Sequence, residues 1–266
     1  MTNPVGDFIW YELMTPDADA ATRFYGAVVG WNIIKDPDPG ESGIDYRHIM
    51  RKDGQLNGGV LNLTQAMCDG GAHPCWLGYI HVANVDAAII AITAKGGTLH
   101  MPATDIDVGR FALVTDPQGT PFYIMTPVPR PGMEGMRSDV FSYDQPQHVR
   151  WNELSTTDPD AALAFYKAEF GWDQEGEMDM GPMGAYRFIQ NDGVGIGAVM
   201  AKMPEMPVSA WTYYIGVDDI DRAAAAVTQE GGTITFGPME IPGGEFSLNG
   251  IDPQGAAFGL VGPRKA

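Results

Sequence analysis

Between Phe8 and Met14, apolar and aromatic side chains run with Glu12 set among them, an alternation that suits a strand whose neighbours face opposite ways. Thr15-Pro16-Asp17 ends that strand. Ala21, Phe24, Tyr25 and Val28 then recur at helical spacing, which predicts a helix over residues 18–29, capped by Thr15 or Asp17 and stopped by Gly30. A strand begins at Trp31, and two β-rich runs, 46–50 and 55–63, flank the hairpin signal Arg51-Lys52-Asp53-Gly54. Residues 64–74 read as a loop. A second series follows: a strand over 76–82, a helix over 86–95 ended by Gly96-Gly97, and strands near 98–101, 110–115 and 121–125, the last two joined by Asp116-Pro117-Gln118-Gly119. Each series has the order strand, helix, strand, strand, strand.

The same plan then returns. Trp10, Glu12, Leu13, Asp17, Phe24, Tyr25, Gly30 and Trp31 reappear 141 residues later as Trp151, Glu153, Leu154, Asp158, Phe165, Tyr166, Gly171 and Trp172. A repeat of half the chain length means two copies of one folding unit. Further on, Trp76 matches Trp211 and Asp116-Pro117-Gln118-Gly119 returns as Asp252-Pro253-Gln254-Gly255. The offset has dropped to about 135, which places Arg110 opposite Glu245, and the lost residues fall in the loop before Trp211. Pro- and Gly-rich residues 127–147 read as a linker, so the expected domains are 1–126 and 148–266.

Composition narrows the function. The 266 residues are 44% hydrophobic and 19% charged, as in a soluble globular protein, and no apolar run is long enough for a membrane span. A formal charge of −18 argues against a nucleic-acid partner and favours solubility through self-repulsion. Cys68 and Cys75 form no metal or redox motif, and the first residues lack a basic and apolar leader, so reduced thiols in a cytoplasmic protein are expected.

Four βαβββ units, with Trp-x-Glu-Leu opening each half and Asp-Pro-Gln-Gly near its end, resemble the vicinal oxygen chelate superfamily of glyoxalases, bleomycin-resistance proteins and extradiol dioxygenases. The resemblance covers nearly the whole chain outside the linker, and it is closest to a two-module, glyoxalase-like branch. It implies an α+β fold with two glyoxalase-like half-open β-barrel modules in tandem, each cupping a small-molecule cavity. In metal-using members it also implies three ligand positions per module. Carried over, those positions hold Trp10, Leu77 and Tyr123 in the first half and Trp151, Thr212 and Gly259 in the second. None offers the His, carboxylate or thiolate that a divalent ion requires, so no metal or other cofactor is expected. A shifted set of Glu12, His48 and His81 is the metal-dependent alternative.

Glu12 and Glu153 lie two residues beyond Trp10 and Trp151 and share their inward face. A carboxylate there is a candidate general acid or base; it is equally a candidate pin, held by backbone or Tyr donors. Tyr79 and Tyr214, matched on the fifth strand of each half, are candidate catalytic partners whose hydroxyls either orient a substrate oxygen or bond to Glu12 and Glu153. His48, His81, Tyr46, Tyr186, Tyr123 and Arg110 complete the candidate ligand-facing set, with Arg110 as an anion lure at a barrel mouth. Arg47 and Arg187 are expected in surface ion pairs. Methionines 178, 180, 183, 203 and 206 stand in expected rim loops, where thioethers suit adaptable apolar binding. The leading expectation is a metal-free protein that encloses a small, partly aromatic or oxygenated molecule, with isomerase-, lyase- or hydroxylase-like acid/base chemistry; a protein that sequesters a drug or toxin without catalysis is the alternative. Two modules in one chain suit a monomer, or a homodimer.

Overall fold

A computed structural model describes residues 3–37, 43–129, 132 and 135–265. The first half runs β1 (Phe8–Thr15), α1 (Ala18–Val29), β2 (Asn32–Lys35), β3 (Tyr46–Met50), β4 (Leu56–Asn62), α2 (Gln65–Asp69), β5 (Cys75–His81), α3 (Val85–Ala94), β6 (Thr98–Ile106), β7 (Gly109–Thr115) and β8 (Pro121–Pro127). The second half runs β9 (Val149–Thr156), α4 (Pro159–Phe170), β10 (Asp173–Asp179), β11 (Ala185–Asn191), β12 (Val194–Ala201), β13 (Ala210–Gly216), α5 (Ile220–Gln229), β14 (Thr233–Glu240), β15 (Phe246–Ile251) and β16 (Ala257–Gly262). Each half forms one open eight-stranded sheet, ordered β2-β3-β4-β1-β5-β8-β7-β6 and β10-β11-β12-β9-β13-β16-β15-β14. The α+β architecture and the tandem repeat therefore stand as read from the sequence.

Local chemistry explains the matching helix ends. The Asp17 carboxylate accepts from the Ala20 N–H at 2.9 Å and Gly30 closes α1 at φ 83°; Asp158 and Gly171, at φ 72°, do the same for α4. Four elements differ from expectation. Residues 64–74 contain α2, a five-residue helix that Thr64 caps. Residues 177–179, expected in a loop, belong to β10, an edge strand that polar composition disguises. The edge strands β6 and β14 outrun their apolar cores. The registers Arg110↔Thr126 and Phe246↔Gly262 also make Phe246, rather than Glu245, the counterpart of Arg110.

Packing groups the chain into two compact units that cut across the repeat. One takes Met1–Ile9, Gly78–Asp139 and Trp151–Trp211; the other takes Trp10–Leu77, Val140–Arg150 and Thr212–Ala266. The first of these contains a buried relay: the Trp211 indole N–H donates to the Tyr166 hydroxyl at 3.1 Å, and that hydroxyl donates to Asp116 at 3.1 Å. Asp116 also accepts from the Gln118 and Thr120 N–H groups at 2.9 and 2.8 Å. Trp172 stacks on Tyr166, with ring centres 5.0 Å apart and planes 8° from parallel. The other unit repeats the device with Trp76, Tyr25 and Asp252, at 2.9 and 3.1 Å. Burial pushes both carboxyls above their ordinary range while the surrounding donors pull them back; burial and Asp252 push the Tyr25 hydroxyl well up.

The stretch expected as a linker is anchored. Arg137 pairs with the buried Asp7 at 2.9 Å within one unit. In the other, Gln147 donates to the Gly30 carbonyl at 2.7 Å and accepts from the Lys52 N–H at 2.8 Å. Among the described residues no helix is long and apolar enough to cross a membrane.

Candidate functional site

Strand alternation sends Tyr11 and Leu13 into the core and turns Trp10 and Glu12 to the opposite face. Glu12 is in register with Gly59 on β4, which is in register with His48 on β3. Gly59 leaves the middle of that row empty, and the Tyr46 ring fills it: a Cβ on Gly59 would sit 2.0 Å from the Tyr46 hydroxyl oxygen. That hydroxyl accepts from the Trp10 indole N–H at 3.0 Å, and His48 meets both rings edge-on. Glu12 is only 3% exposed. Cys75 lies near enough that burial, seconded by the Glu12 charge, pushes its thiol up to about 12.

On the second half's first strand the same row reads Glu153, Ala198, Phe188. Here the Trp151 indole N–H donates to the Tyr186 hydroxyl at 2.6 Å, which donates to Glu153 at 2.8 Å. Because the indole occupies the acceptor side of the phenol, the phenolic proton points to the carboxylate. Glu153 is half-buried, and Phe188 closes edge-on against Trp151 and Tyr186. The phenolic donor to Glu153 on this strand set is thus Tyr186, which the sequence placed among ligand-facing residues rather than beside the glutamate.

The remaining candidates lie on the later strands of each sheet. Tyr79 and Tyr123, in register on β5 and β8, stack with ring centres 4.2 Å apart, and Phe111 flanks them. His81 donates from Nδ1 to the Pro4 carbonyl at 2.9 Å, so it anchors the segment before β1. Arg110 is no anion lure: Asp86 holds it at 2.9 Å and Asp105 at 2.7 Å, and the cluster sums to a negative charge. In the second sheet Tyr214 lies flat over Gly259, where a Cβ would come 2.6 Å from the ring, and exchanges hydrogen bonds with Asn249. Arg47 pairs with Asp19 and Asp45 but is buried rather than a surface residue; Arg187 pairs with Asp160.

The metal that the fold's relatives use finds no donors at the corresponding positions. Trp10 and Trp151 present indole N–H groups already donated to tyrosines, Leu77 is apolar and buried, Thr212 has a neutral hydroxyl, Tyr123 is a stacked phenol and Gly259 has no side chain. The shifted set of Glu12, His48 and His81 does not form either: among the described residues, no three His, Cys, Asp or Glu side chains are grouped to hold an ion.

Sequence reasoning passed over four participants. Cys75 looked like an unremarkable thiol, Asn249 carried no motif, and the Asp of each Asp-Pro-Gln-Gly turn was read for its turn alone. The repeat itself flagged those aspartates, but their tyrosine partners lie 227 residues away for Tyr25 and Asp252 and 50 residues away for Tyr166 and Asp116.

Known proteins place these observations. The family model described as Glyoxalase/Bleomycin resistance protein/Dioxygenase superfamily matches residues 8–124 and again 145–260. The chain is 34% identical over 260 residues, 96% of its length and 94% of the relative's, to a Mycobacterium tuberculosis protein named "Putative glyoxylase CFP32". It is 27% identical over 275 residues, 97% of the chain and 93% of the relative, to the anthracycline biosynthesis protein DauV of Streptomyces sp. (strain C5). In fold it resembles the Mn(II)-bound glyoxalase of Novosphingobium aromaticivorans, at TM-score 0.63 and 13% identity over 98% of this chain and 83% of that one. It also resembles the 2,3-dioxygenase LapB of Pseudomonas sp. KL28, at TM-score 0.62 and 12% identity over 99% and 94%. With two module matches spanning nearly its whole length, the chain belongs to the glyoxalase/bleomycin resistance protein/dioxygenase superfamily.

Proposed function

We propose that this protein binds a small, partly aromatic, oxygenated organic molecule against the Glu153 face of its second sheet and moves a proton on it without a divalent ion. The observation that carries this reading is the Trp151–Tyr186–Glu153 relay. It fixes the carboxylate's orientation with a hydrogen bond whose direction is dictated, which is the preorganisation an acid or base needs. Half-buried among Trp151, Tyr186 and Phe188, the carboxylate is partly desolvated yet within reach of a ligand lying on those rings. A bound ketone gives up an α-C–H proton to Glu153 as its C=C–O⁻ enolate forms, and a proton returned to the carbon or to the oxygen regenerates the ketone or gives its enol, a 1,3-shift that needs no redox partner. The donor sets of both halves support the metal-free part of the reading, and the anthracycline connection of one relative's name supports a flat, oxygenated ligand.

Glu12, almost fully buried beside Cys75, has the poorer access, so the first sheet's glutamate is assigned to holding its strand. The experiment is proton exchange of 2-tetralone in deuterated buffer, followed by NMR with chelator present. Exchange is expected to survive chelation, to vanish in Glu153→Gln and to fall about tenfold in Tyr186→Phe, the worth of roughly one charge-assisted hydrogen bond. Loss of exchange on chelation would overturn the metal-free reading. Binding of 2-tetralone with no exchange in the unsubstituted protein would favour sequestration, as the bleomycin-resistance members of the superfamily suggest.

A further inference from the structure

Residues 178–206 hold six of the fifteen methionines in the chain, whereas the matching stretch of the first half, 38–67, holds two. The structure shows where the six go. Met178 is in register with Tyr186 across β10 and β11. On β12, Met200 is in register with Ser155 of β9, two residues beyond Ala198, which is in register with Glu153. By alternation Met200 shares the face of Glu153 and Phe188, and the pair Arg187↔Val199 sets Tyr186 against Met200. Met178, Tyr186, Met200 and Ser155 thus make one row directly beside the row of Phe188, Ala198 and Glu153.

The other four methionines stand at the end of that row. Residues 180–184 form the tip of the β10–β11 hairpin, closed by the Met180 N–H on the Gly184 carbonyl at 2.9 Å. Met203 and Met206 follow β12 in a turn closed by the Met206 N–H on the Met203 carbonyl at 3.0 Å and by Lys202 on the Met206 carbonyl at 2.6 Å. Met183 and Met203 are 36% and 46% exposed, while Met200 is 7% exposed. The two backbones are hydrogen-bonded turns, so the freedom at this rim resides in the thioether side chains. The first half has Tyr46, Leu61 and Met14 in the corresponding row, and its sequence carries no methionine between Asp36 and Asp45.

We infer that the methionine rim is the specificity element of the second sheet: it admits fused-ring aromatic ligands, letting unbranched, polarizable thioethers close over ring systems wider than one benzene ring while their hydroxyl meets Glu153. Thioethers meet aromatic edges favourably and re-pack for different outlines, which a wall of β-branched residues cannot do. The inference rests on the Glu153 face being the ligand-bearing one, and it adds the size and shape of the ligand and the half that takes it.

The test uses the full chain labelled with methyl-¹³C methionine and titrated with 1-naphthol, with Met178→Leu and Met200→Leu identifying their signals. The Met178 and Met200 methyls are expected to shift by ring current while those of Met14, Met50 and Met125 stay put. Replacing the exposed pair, Met183→Ser with Met203→Ser, is expected to weaken 1-naphthol about tenfold and phenol less than twofold, since only the wider ligand reaches the rim. Shifts confined to Met14, Met50 or Met125, equal losses for both probes, or no 1-naphthol binding at all would overturn it. Methyl shifts that persist in Glu153→Gln without tetralone exchange in any variant would retire the proton-transfer reading and leave the rim standing. Exchange that survives with no rim shifts would do the reverse.

Discussion

The two first-strand faces of this chain began as one pattern and now differ at single positions. Trp10, Tyr46 and Glu12 have the counterparts Trp151, Tyr186 and Glu153, yet the position of Gly59 is taken by Ala198, that of His48 by Phe188 and that of Cys75 by Ala210. Behind the strands nothing comparable has changed: Trp76–Tyr25–Asp252 and Trp211–Tyr166–Asp116 are the same relay, each buried within one compact unit. The contrast teaches which side of the sheet has freedom. A buried three-member relay leaves an orphaned donor if any member changes, whereas a face turned to a ligand can trade His for Phe at the cost of altering what it binds.

The largest expected effect tests the sameness. Asp252→Ala and Asp116→Ala each strand a buried tyrosine hydroxyl and two backbone N–H groups, so each should lose roughly 3 kcal/mol or more in denaturant unfolding. Similar losses at both sites sustain the comparison; a loss at one site alone breaks it. The pH dependence has a definite sign. Both carboxyls titrate above their ordinary value when folded, so their contribution to stability is fullest below about 4 and is lost as pH rises through the folded value. Asp252→Asn should therefore flatten that part of the stability profile.

A smaller effect tests the divergence. A Cβ on Gly59 would overlap the Tyr46 hydroxyl, so Gly59→Ala must displace that ring and break its bond to Trp10, at about 1–3 kcal/mol. Ala198→Gly removes a methyl from a row that already accommodates one and should cost about 1 kcal/mol through backbone freedom. Thermal melts with indole fluorescence distinguish the two: Gly59→Ala should alter Trp10 emission, and Ala198→Gly should leave Trp151 emission nearly unchanged.

How far the sequence led follows from the same division. The repeat, the Asp and Gly ends of α1 and α4, and the facing of Trp10, Glu12, Trp151 and Glu153 were all legible, because capping chemistry and strand alternation are local. β10 was not, since Asp173–Asp179 is an edge strand whose polar residues carry no alternation to read. The Tyr186–Glu153 bond was not legible for a physical reason: Tyr186 reaches the carboxylate from β11 across the small side chain of Ala198, a crossing that depends on three strands at once. The aspartate relays escaped because each joins the two halves of the sequence, and no spacing within one half announces the other.

The smallest effect is a chemical one and it isolates Glu12. Burial holds the Cys75 thiol protonated up to about 12, with the Glu12 charge as the second cause, whereas Cys68 is exposed on α2. At pH 8 a disulfide reagent should therefore modify Cys68 promptly and Cys75 only when the chain unfolds. A folded thiol that titrates near 12 against an ordinary value of about 8.5 contributes stability that is present below the ordinary value and lost as pH rises toward 12. Cys75→Ala should remove that alkaline slope, and the second half, with Ala210 in its place, should contribute none of it. Glu12→Gln takes away the lesser cause only, so it should bring the Cys75 titration part of the way down, read as faster labelling between pH 9 and 11 in the folded protein. If the labelling rate does not move, burial alone holds the Cys75 thiol protonated and the Glu12 charge is no part of the cause.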